Sequence, residues 1–300
     1  MALKNFNRII NLTLYKSVGV FGDMEEIVIK CPAHGRKPSI EINGTYTTAN
    51  FLPAFNLTIK NLYINMTGAQ YKKVKVEAGY EGNTVTFEGT ILTMYQDEPG
   101  PESKTVIQCQ MGQMQQWLDT AVQLTYEAGT PLQTVLKDIG AKLKTEGVHI
   151  GLKAGTLQLK TLFVFDGTAR NALSRLETYY ADEKLVLFVR ENILCAVCMP
   201  GEDFVKTSVL EYMSAPPQEN PGDEDGALYT TITAPWQPKL QIGDLLRIPS
   251  KVYMRNFSTV GAGAKTQTIQ VTALSFHFGT TGGTNSMQVQ GFNTRLKNGQ

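Results

Sequence analysis

Apolar and polar residues alternate along the C-terminal segment from Thr230 to Phe292. This period of two is typical of β-strands that bury one face. The Gly-rich run from Gly279 to Gly283 can turn the chain, so that the residues after Met287 pair with the preceding strand as a hairpin. The segment is therefore predicted to be all strand, in a barrel or a sandwich.

The N-terminal part of the chain shows the same pattern. Short apolar runs with polar interruptions lie at 8–15, 27–31, 39–42, 56–65 and 104–109. Two further runs, 73–77 and 83–95, flank a Gly-containing turn and predict a hairpin. Because both ends of the chain are rich in predicted strands, the C-terminal segment is predicted to resume a fold that is left open near Cys109.

Between residues 112 and 200 the hydrophobic period becomes that of helices. A helix is predicted to begin at Pro131, after a Thr130 cap, and to end near Gly147. A second helix is predicted from Thr168. Each predicted helix has an apolar stripe along one face, formed by residues at spacings of three and four. The stripe consists of Leu132, Val135, Leu136, Ile139 and Leu143 in the first helix, and of Ala169, Ala172, Leu173, Leu176 and Tyr180 in the second.

These two helices belong to a predicted repeat. Leu136 and Leu173 lie 37 residues apart, and the same offset relates Ile139 to Leu176. The strand predicted at 124–126 likewise has its counterpart at 162–164. We therefore predict two copies of a β-α-β-β unit, over 124–159 and 162–196, which bury their helical stripes against small sheets.

The patterns divide the chain into four parts. An N-terminal β-barrel is predicted over residues 1–111, the inserted duplicated α/β module over 112–200, a linker over 201–226 and a C-terminal β-barrel over 227–300. The linker is predicted from the Pro, Gly and acidic residues between Pro216 and Gly226.

Composition narrows the class of protein. At 300 residues with 42% hydrophobic residues, the chain can bury one or two substantial cores. Its 28 basic and 27 acidic residues give a formal charge of +1, which argues against a dedicated nucleic-acid binder. No run of about 18 apolar residues and no apolar stretch after Arg8 is present, so neither a membrane anchor nor a secretory signal is predicted. The protein is expected to be made in a cytoplasm.

The cysteines give no clear chemistry. Cys31, Cys109, Cys195 and Cys198 are too few for a disulfide framework and are predicted to be small buried side chains. Cys31 and His34 could supply two zinc ligands, but no second pair stands at usable spacing. Cys195 and Cys198 have a redox spacing, yet they lie at a predicted strand end and not at a helix N-terminus, where a thiol is acidified. No metal ligand and no cofactor is predicted.

The remaining candidates also favour structural roles. The acidic loop from Gly222 to Gly226 lacks the ligand ladder of a calcium-binding EF-hand and is predicted to be a solvated loop. A dyad of Cys109 or Cys31 with a histidine stays open as an alternative, although no local signature supports it. We predict no catalytic residue and no enzyme. The histidines are His34, His149 and His277, in three different predicted segments, and the aromatic residues predicted as core are Phe163, Phe165, Tyr179 and Tyr180.

Four segments carry a family resemblance, namely Phe87–Gln96, Gly100–Cys109, Leu124–Leu132 with its helix, and Pro238–Ile248. With their flanking strands they span about residues 73–292. In this order and spacing, the chain resembles the central baseplate hub proteins of phage tails and related injection machines, a family that includes the Mu-like hubs and prophage tail hub proteins.

The resemblance implies an α+β, mostly β fold in which two tube-protein-like β-barrel domains flank the inserted duplicated α/β module. It also implies a structural homotrimer, a symmetry adaptor that joins the six-fold tail tube to the three-fold spike, because three copies of a two-barrel chain place six barrels in a ring. The implied partners are the tail tube protein, the spike protein and the baseplate wedge or surrounding tail proteins, while DNA passes through the lumen without specific binding. The implied location is the tail baseplate of a virion assembled in the host bacterial cytoplasm.

Two departures limit what the resemblance implies. The chain carries no lysozyme-like or peptidase segment, so the cell-wall-degrading activity of some tail hubs is not implied. It ends eight residues after Phe292, so any spike is expected to be a separate protein. Two alternatives stay open: a hub or spike-base component of a phage-like secretion system, and a receptor- or carbohydrate-binding tail-tip module. The latter needs an exposed aromatic platform, whereas Trp117 and Trp236 fall in different predicted segments.

Overall fold

A computed structural model of the chain describes residues 8–18, 23–31, 39–47, 54–61, 70–96, 103–111, 118–190, 192–199, 201, 205–210, 212–213, 217–220, 229–248, 253–254, 267–280 and 285–294. These residues contain twenty strands, two α-helices and one 3-10 helix. The mostly β, α+β class predicted from the sequence is therefore confirmed.

The strands of the first part are β1 (Arg8–Val18), β2 (Asp23–Ile29), β3 (Ser39–Thr47), β4 (Ala54–Lys60), β5 (Gln70–Tyr80), β6 (Asn83–Gln96) and β7 (Lys104–Met111). The middle part contains β8 (Ala121–Tyr126), α1 (Leu132–Lys142), β9 (Gly147–Ile150), the 3-10 helix (Ala154–Thr156), β10 (Phe163–Thr168), α2 (Ala169–Tyr179), β11 (Leu185–Arg190) and β12 (Ile193–Cys198). The last strands are β13 (Thr207–Val209), β14 (Tyr212–Met213), β15 (Gln218–Asn220), β16 (Tyr229–Ala234), β17 (Leu245–Ile248), β18 (Tyr253–Met254), β19 (Gln267–Gly279) and β20 (Ser286–Asn293).

One 13-stranded sheet contains strands from both ends of the chain. Its order is β15-β16-β20-β19-β3-β4-β7-β6-β5-β1-β2, and β17 adds to part of β19 while β13 adds to β17. Burial alternates along its strands as the sequence predicts: in β3, Ile40 and Ile42 are fully buried whereas Glu41 and Asn43 are half-buried. The predicted hairpins β5–β6 and β19–β20 are both present.

The two halves of this sheet meet where β3 pairs antiparallel with β19. Phe276 lies opposite Gly44 in this register. A side chain at Gly44 would overlap the Phe276 ring, so the missing Cβ is what lets the ring lie flat on β3. The C-terminal strands thus resume the sheet that the N-terminal strands begin.

The two predicted β-barrels stay a prediction, because strands of both form one continuous sheet within the described residues. Strands of both predicted barrels belong to the same sheet, and within the described residues the order ends at β2 and β15 without closing. The physical reason is the β3–β19 ladder, which joins by backbone hydrogen bonds two units that the hydrophobic pattern separates.

The middle part has its own small sheets. β8 pairs with β10, while β9, β12 and β11 form a three-stranded sheet. The predicted offset of 37 residues carries α1 onto α2 along their whole length. The copies differ after their third element: β12 follows β11 in the second copy, whereas the 3-10 helix and an isolated bridge between Gln158 and Pro131 follow β9 in the first.

The first helix also begins differently from the prediction. Pro131 itself is the N-cap residue, and the Thr130 hydroxyl donates to the carbonyl oxygen of Glu127 at 2.8 Å. The second helix, predicted from Thr168, has a hydroxyl cap, since the Thr168 side chain accepts from the backbone N–H of Asn171. Helix α1 ends at Lys142, before the predicted Gly147.

The buried apolar residues form two cores, and β11 and β12 lie between them. Leu187 and Leu194 belong to the core of the middle part, together with both helical stripes. Phe188 and Val197, on the opposite faces of the same strands, belong to the core of the large sheet. The middle part is therefore packed directly against the large sheet, because β11 and β12 contribute side chains to both cores.

Residues 201–226, predicted as a linker, contain three short strands within their described part. β13 is parallel to β17 and β15 is antiparallel to β16. These strands were not apparent in the sequence because their pairing is with backbone, which needs no apolar side chains at those positions.

Candidate functional site

The four cysteines that the sequence analysis considered are all buried. Cys195 faces the core of the large sheet and Cys198 faces the core of the middle part. Three residues apart on β12, they point to opposite faces, so they do not form a redox pair. Burial raises the pKa of the Cys109 thiol to about 12, which keeps this sulfur protonated and a poor nucleophile.

The histidines are not gathered into one site. His149 lies on β9 beside Cys195 of β12, and His277 lies on β19 between Asn43 and Ser286. His34 and the acidic loop 222–226 lie outside the described residues. In the part of the chain that the structure describes, no group of three or more His, Cys, Asp or Glu side chains is placed to hold a metal ion. The same part contains no helix long and apolar enough to span a membrane.

Trp236 is a core residue. Its side chain is 2% exposed and stacks on Phe276 with ring centroids 4.6 Å apart. Phe87, from the N-terminal half, stacks on Trp236 at 6.1 Å. These rings fasten the two halves of the large sheet together and leave Trp236 unable to serve as an exposed platform, while Trp117 lies outside the described residues.

A buried ion pair joins the middle part to the large sheet. Nη1 of Arg190, the last residue of β11, lies 2.6 Å from Oδ1 of Asp244, and their side chains are 7% and 0% exposed. Asp244 Oδ2 accepts the backbone N–H of Gln241 at 3.2 Å, and Lys206 Nζ stands 3.9 Å from the same oxygen. Burial raises the pKa of the Asp244 carboxyl, and the Arg190 charge opposes this shift.

The turn that carries Asp244 is shaped for this contact. Gly243 has φ +79°, and a side chain there would overlap the Phe188 ring of β11. The sequence analysis identified this turn but not its partner. The available signal was Arg190 itself, a cation at the end of the apolar run Leu185–Arg190, which requires a buried counter-ion.

The edges of the β8–β10 ribbon are occupied by cationic side chains. Lys142 of α1 donates to the carbonyl oxygen of Gln123 on β8 at 2.9 Å. Arg175 of α2 donates to the carbonyl oxygen of Val164 on β10 at 3.1 Å. A bound cation at an edge acceptor discourages the addition of another strand.

The β2 edge is more open. It pairs with β1, and no second strand lies along it within the described ranges. Ile27 and Ile29 are only partly buried against the core, and Val28 between them is 51% exposed. A long edge strand with an apolar run of this kind is a surface to which another strand can add. At the other end of the sheet, β15 is three polar residues long.

The comparisons with known proteins agree with this architecture. No protein-family model matches the chain, and no curated protein matches it in sequence. Among solved structures, the 43 kDa tail protein of prophage MuSo2 from Shewanella oneidensis is 9% identical with a TM-score of 0.56, over 95% of this chain and 96% of that one. The tail protein from Neisseria meningitidis MC58 is 10% identical with a TM-score of 0.53, over 95% and 97%.

A secretion-system protein has a similar fold. The E. coli c3393 protein, a component of the type VI secretion system described as similar to the T4 bacteriophage tail proteins gp27 and gp5, is 5% identical with a TM-score of 0.56. The match covers 86% of this chain and 74% of that one. Nearly the whole chain therefore has the fold of phage-tail and tail-related secretion proteins, as the resemblance found in its sequence implies.

Proposed function

We propose that this protein is a structural component of a phage tail and serves there as the trimeric baseplate hub. The observation that carries the proposal is the likeness of fold to two tail proteins over 95% of this chain and nearly all of theirs. In the proposed role, three copies join the six-fold tail tube to the three-fold spike, and no catalytic step is required.

The construction of the large sheet supports a pseudo-six-fold role. Each half is built on a long antiparallel hairpin, β5–β6 in the first and β19–β20 in the second. Each hairpin is flanked on both sides by further strands. Two similar units in one chain, repeated three times, present six similar surfaces to a six-fold tube. The rings of Phe87, Trp236 and Phe276 hold the two units in a fixed relation.

In the proposed trimer, the middle part supplies the surface that occurs three times. It is present once per chain, and its shared strand layer and the Arg190–Asp244 pair fix it to the large sheet. A spike or a surrounding baseplate protein can therefore contact a rigid three-fold surface. The formal charge of +1 suits a lumen through which DNA passes without being gripped.

A hub or spike-base role in a secretion machine is the second candidate, and the likeness to the type VI secretion component favours it. Both roles require a junction between a six-fold tube and a three-fold spike, and they differ in what passes through the tube. A carbohydrate- or receptor-binding role is less well supported, because Trp236 is buried.

The test is the composition of the particle. Tail particles purified from cells that produce this protein with its neighbouring gene products should contain three copies per tail, counted by quantitative mass spectrometry and located at the tube–spike joint by electron microscopy. Particles with DNA-filled heads assign the phage role, and headless machines assign the secretion role. Absence from the particle, or a copy number other than three, contradicts the hub.

A further inference from the structure

We propose that copies of this chain join through two specific sheet edges, with the β2 edge of one copy lying along the β13 edge of the next. This inference deepens the proposed hub function and rests on it. The two edges differ from each other, so the contact is head-to-tail and closes into a ring when the rotation between copies is one third of a turn.

The first edge is acidic and apolar. Glu25 and Glu26 of β2 are exposed, and Lys16 lies 3.4 Å from the Glu25 carboxylate without burying it. Beside them Val28 is 51% exposed, on a strand seven residues long. An incoming strand therefore has backbone to pair with, an apolar side chain to cover and, in Glu26, a carboxylate to neutralise.

The second edge is the complement of the first. The carbonyl oxygen of Lys206 and the backbone N–H of Leu210 bond towards β17, so the alternation of the strand directs the backbone groups of Thr207 and Val209 away from it. Val209 is 53% exposed. Its neighbour in the register is Arg247 of β17, which is also exposed and carries the charge that the Glu26 carboxylate requires.

Three other strand edges of the described chain, those of β8, β10 and β15, fit β2 less well. β8 and β10 already bind Lys142 and Arg175 through backbone carbonyl oxygens. β15 carries Glu219, whose charge has the same sign as the β2 edge. β10 also has an exposed valine, Val164, beside an exposed cation, but that cation, Arg175, already bonds to the Val164 carbonyl oxygen of this edge. At β13 the exposed Val209 lies beside Arg247 of the neighbouring strand, while the backbone groups of Val209 point away from β17.

Cysteine cross-linking tests this pairing directly, since the native cysteines are buried. Full-length Val28→Cys and Val209→Cys chains are mixed, oxidised with a mild catalyst and separated on a non-reducing gel. We expect at least about fivefold more cross-linked dimer than either variant gives alone, because covalent trapping collects even weak specific contacts. The doubly substituted chain should give a ladder that ends at three copies.

The control is Leu152→Cys, which is 86% exposed on the middle part. The proposal is overturned if the mixture of Val28→Cys and Val209→Cys chains cross-links no better than this control. It is also overturned if Val28→Cys alone cross-links efficiently, because that result indicates a two-fold contact between β2 edges. An independent check exchanges the charges: Glu26→Lys and Arg247→Glu should each weaken association at least about fivefold, and the pair together should restore it. Three copies per particle without the cross-link would leave the hub function standing and reject this interface.

Discussion

The Arg190–Asp244 pair allows a quantitative test of how the middle part is held. Asp244→Ala removes the carboxylate 2.6 Å from Arg190 and takes the acceptor from the Gln241 backbone N–H. Because Arg190 is then buried without a counter-ion, the free energy of unfolding should fall by about 3–5 kcal/mol. Arg190→Met should lower the free energy of unfolding by an amount nearer to about 3 kcal/mol, since Lys206 remains 3.9 Å from the Asp244 carboxylate.

A double variant separates the pair from its surroundings. In Arg190→Met/Asp244→Ala neither charge remains buried, so its loss of unfolding free energy should be smaller than the sum of the single losses by about 2 kcal/mol. The assay is urea unfolding followed by circular dichroism, with the free energy extrapolated to water. The matched control is the exposed pair Lys75–Glu88, whose charged atoms are 3.6 Å apart. Replacing either of its members should change the free energy by less than about 1 kcal/mol.

Two outcomes would refute the reasoning. A loss below about 1 kcal/mol for Asp244→Ala means that water reaches Arg190 and that the pair does not fasten the two parts. Strict additivity of the two single losses in the double variant means that the charges do not depend on each other, whatever their distance.

Two further predictions concern the middle part. Burial raises the pKa of Glu177 to about 7, so the protonated form favours the folded state; this stabilisation is complete below the unfolded pKa of about 4.3 and is lost as pH rises through 7. Relative to Glu177→Gln, which keeps the acceptor for the Leu187 N–H at 2.7 Å, the native chain should lose on the order of 1–2 kcal/mol between pH 5 and 8, and parallel stability curves would contradict this. Leu136→Ala and Leu173→Ala, at fully buried equivalent positions of α1 and α2, should each cost about 2–5 kcal/mol in urea unfolding. The exposed neighbours Lys137→Ala and Ser174→Ala should cost less than about 0.5 kcal/mol, and a near-zero change at either leucine would refute the shared burial.

Local structure could be predicted from the sequence where one residue's burial follows from its neighbours. The apolar stripe of Leu173 and Leu176 gives helix α2, and the alternation around Val289 gives β20. Phe163 and Phe165, predicted as core, are buried in β10, while the neighbouring apolar residues Leu162 and Val164 are 62% and 50% exposed. The alternation along a strand determines which residues lie on the same face, but it does not determine which of the two faces is buried.

Long-range pairing could not be predicted in the same way. The β3–β19 ladder and the Arg190–Asp244 pair join distant segments, and the local hydrophobic pattern of a segment does not indicate which other segment it contacts. The candidate interface has the same difficulty. Val28 and Val209 look like ordinary strand valines in the sequence, and only the sheet order places both at edges.

The pairing of β3 with β19 also has a consequence for the timing of synthesis. About 220 residues separate the end of β3 from the start of β19. At the usual 5–20 residues per second, a ribosome needs on the order of 10–50 s to supply the second strand after the first. During this interval the nascent chain exposes one side of β3, and a chain that is terminated early exposes it permanently. Because another strand can add to such an edge, truncated copies should aggregate more readily than the full chain.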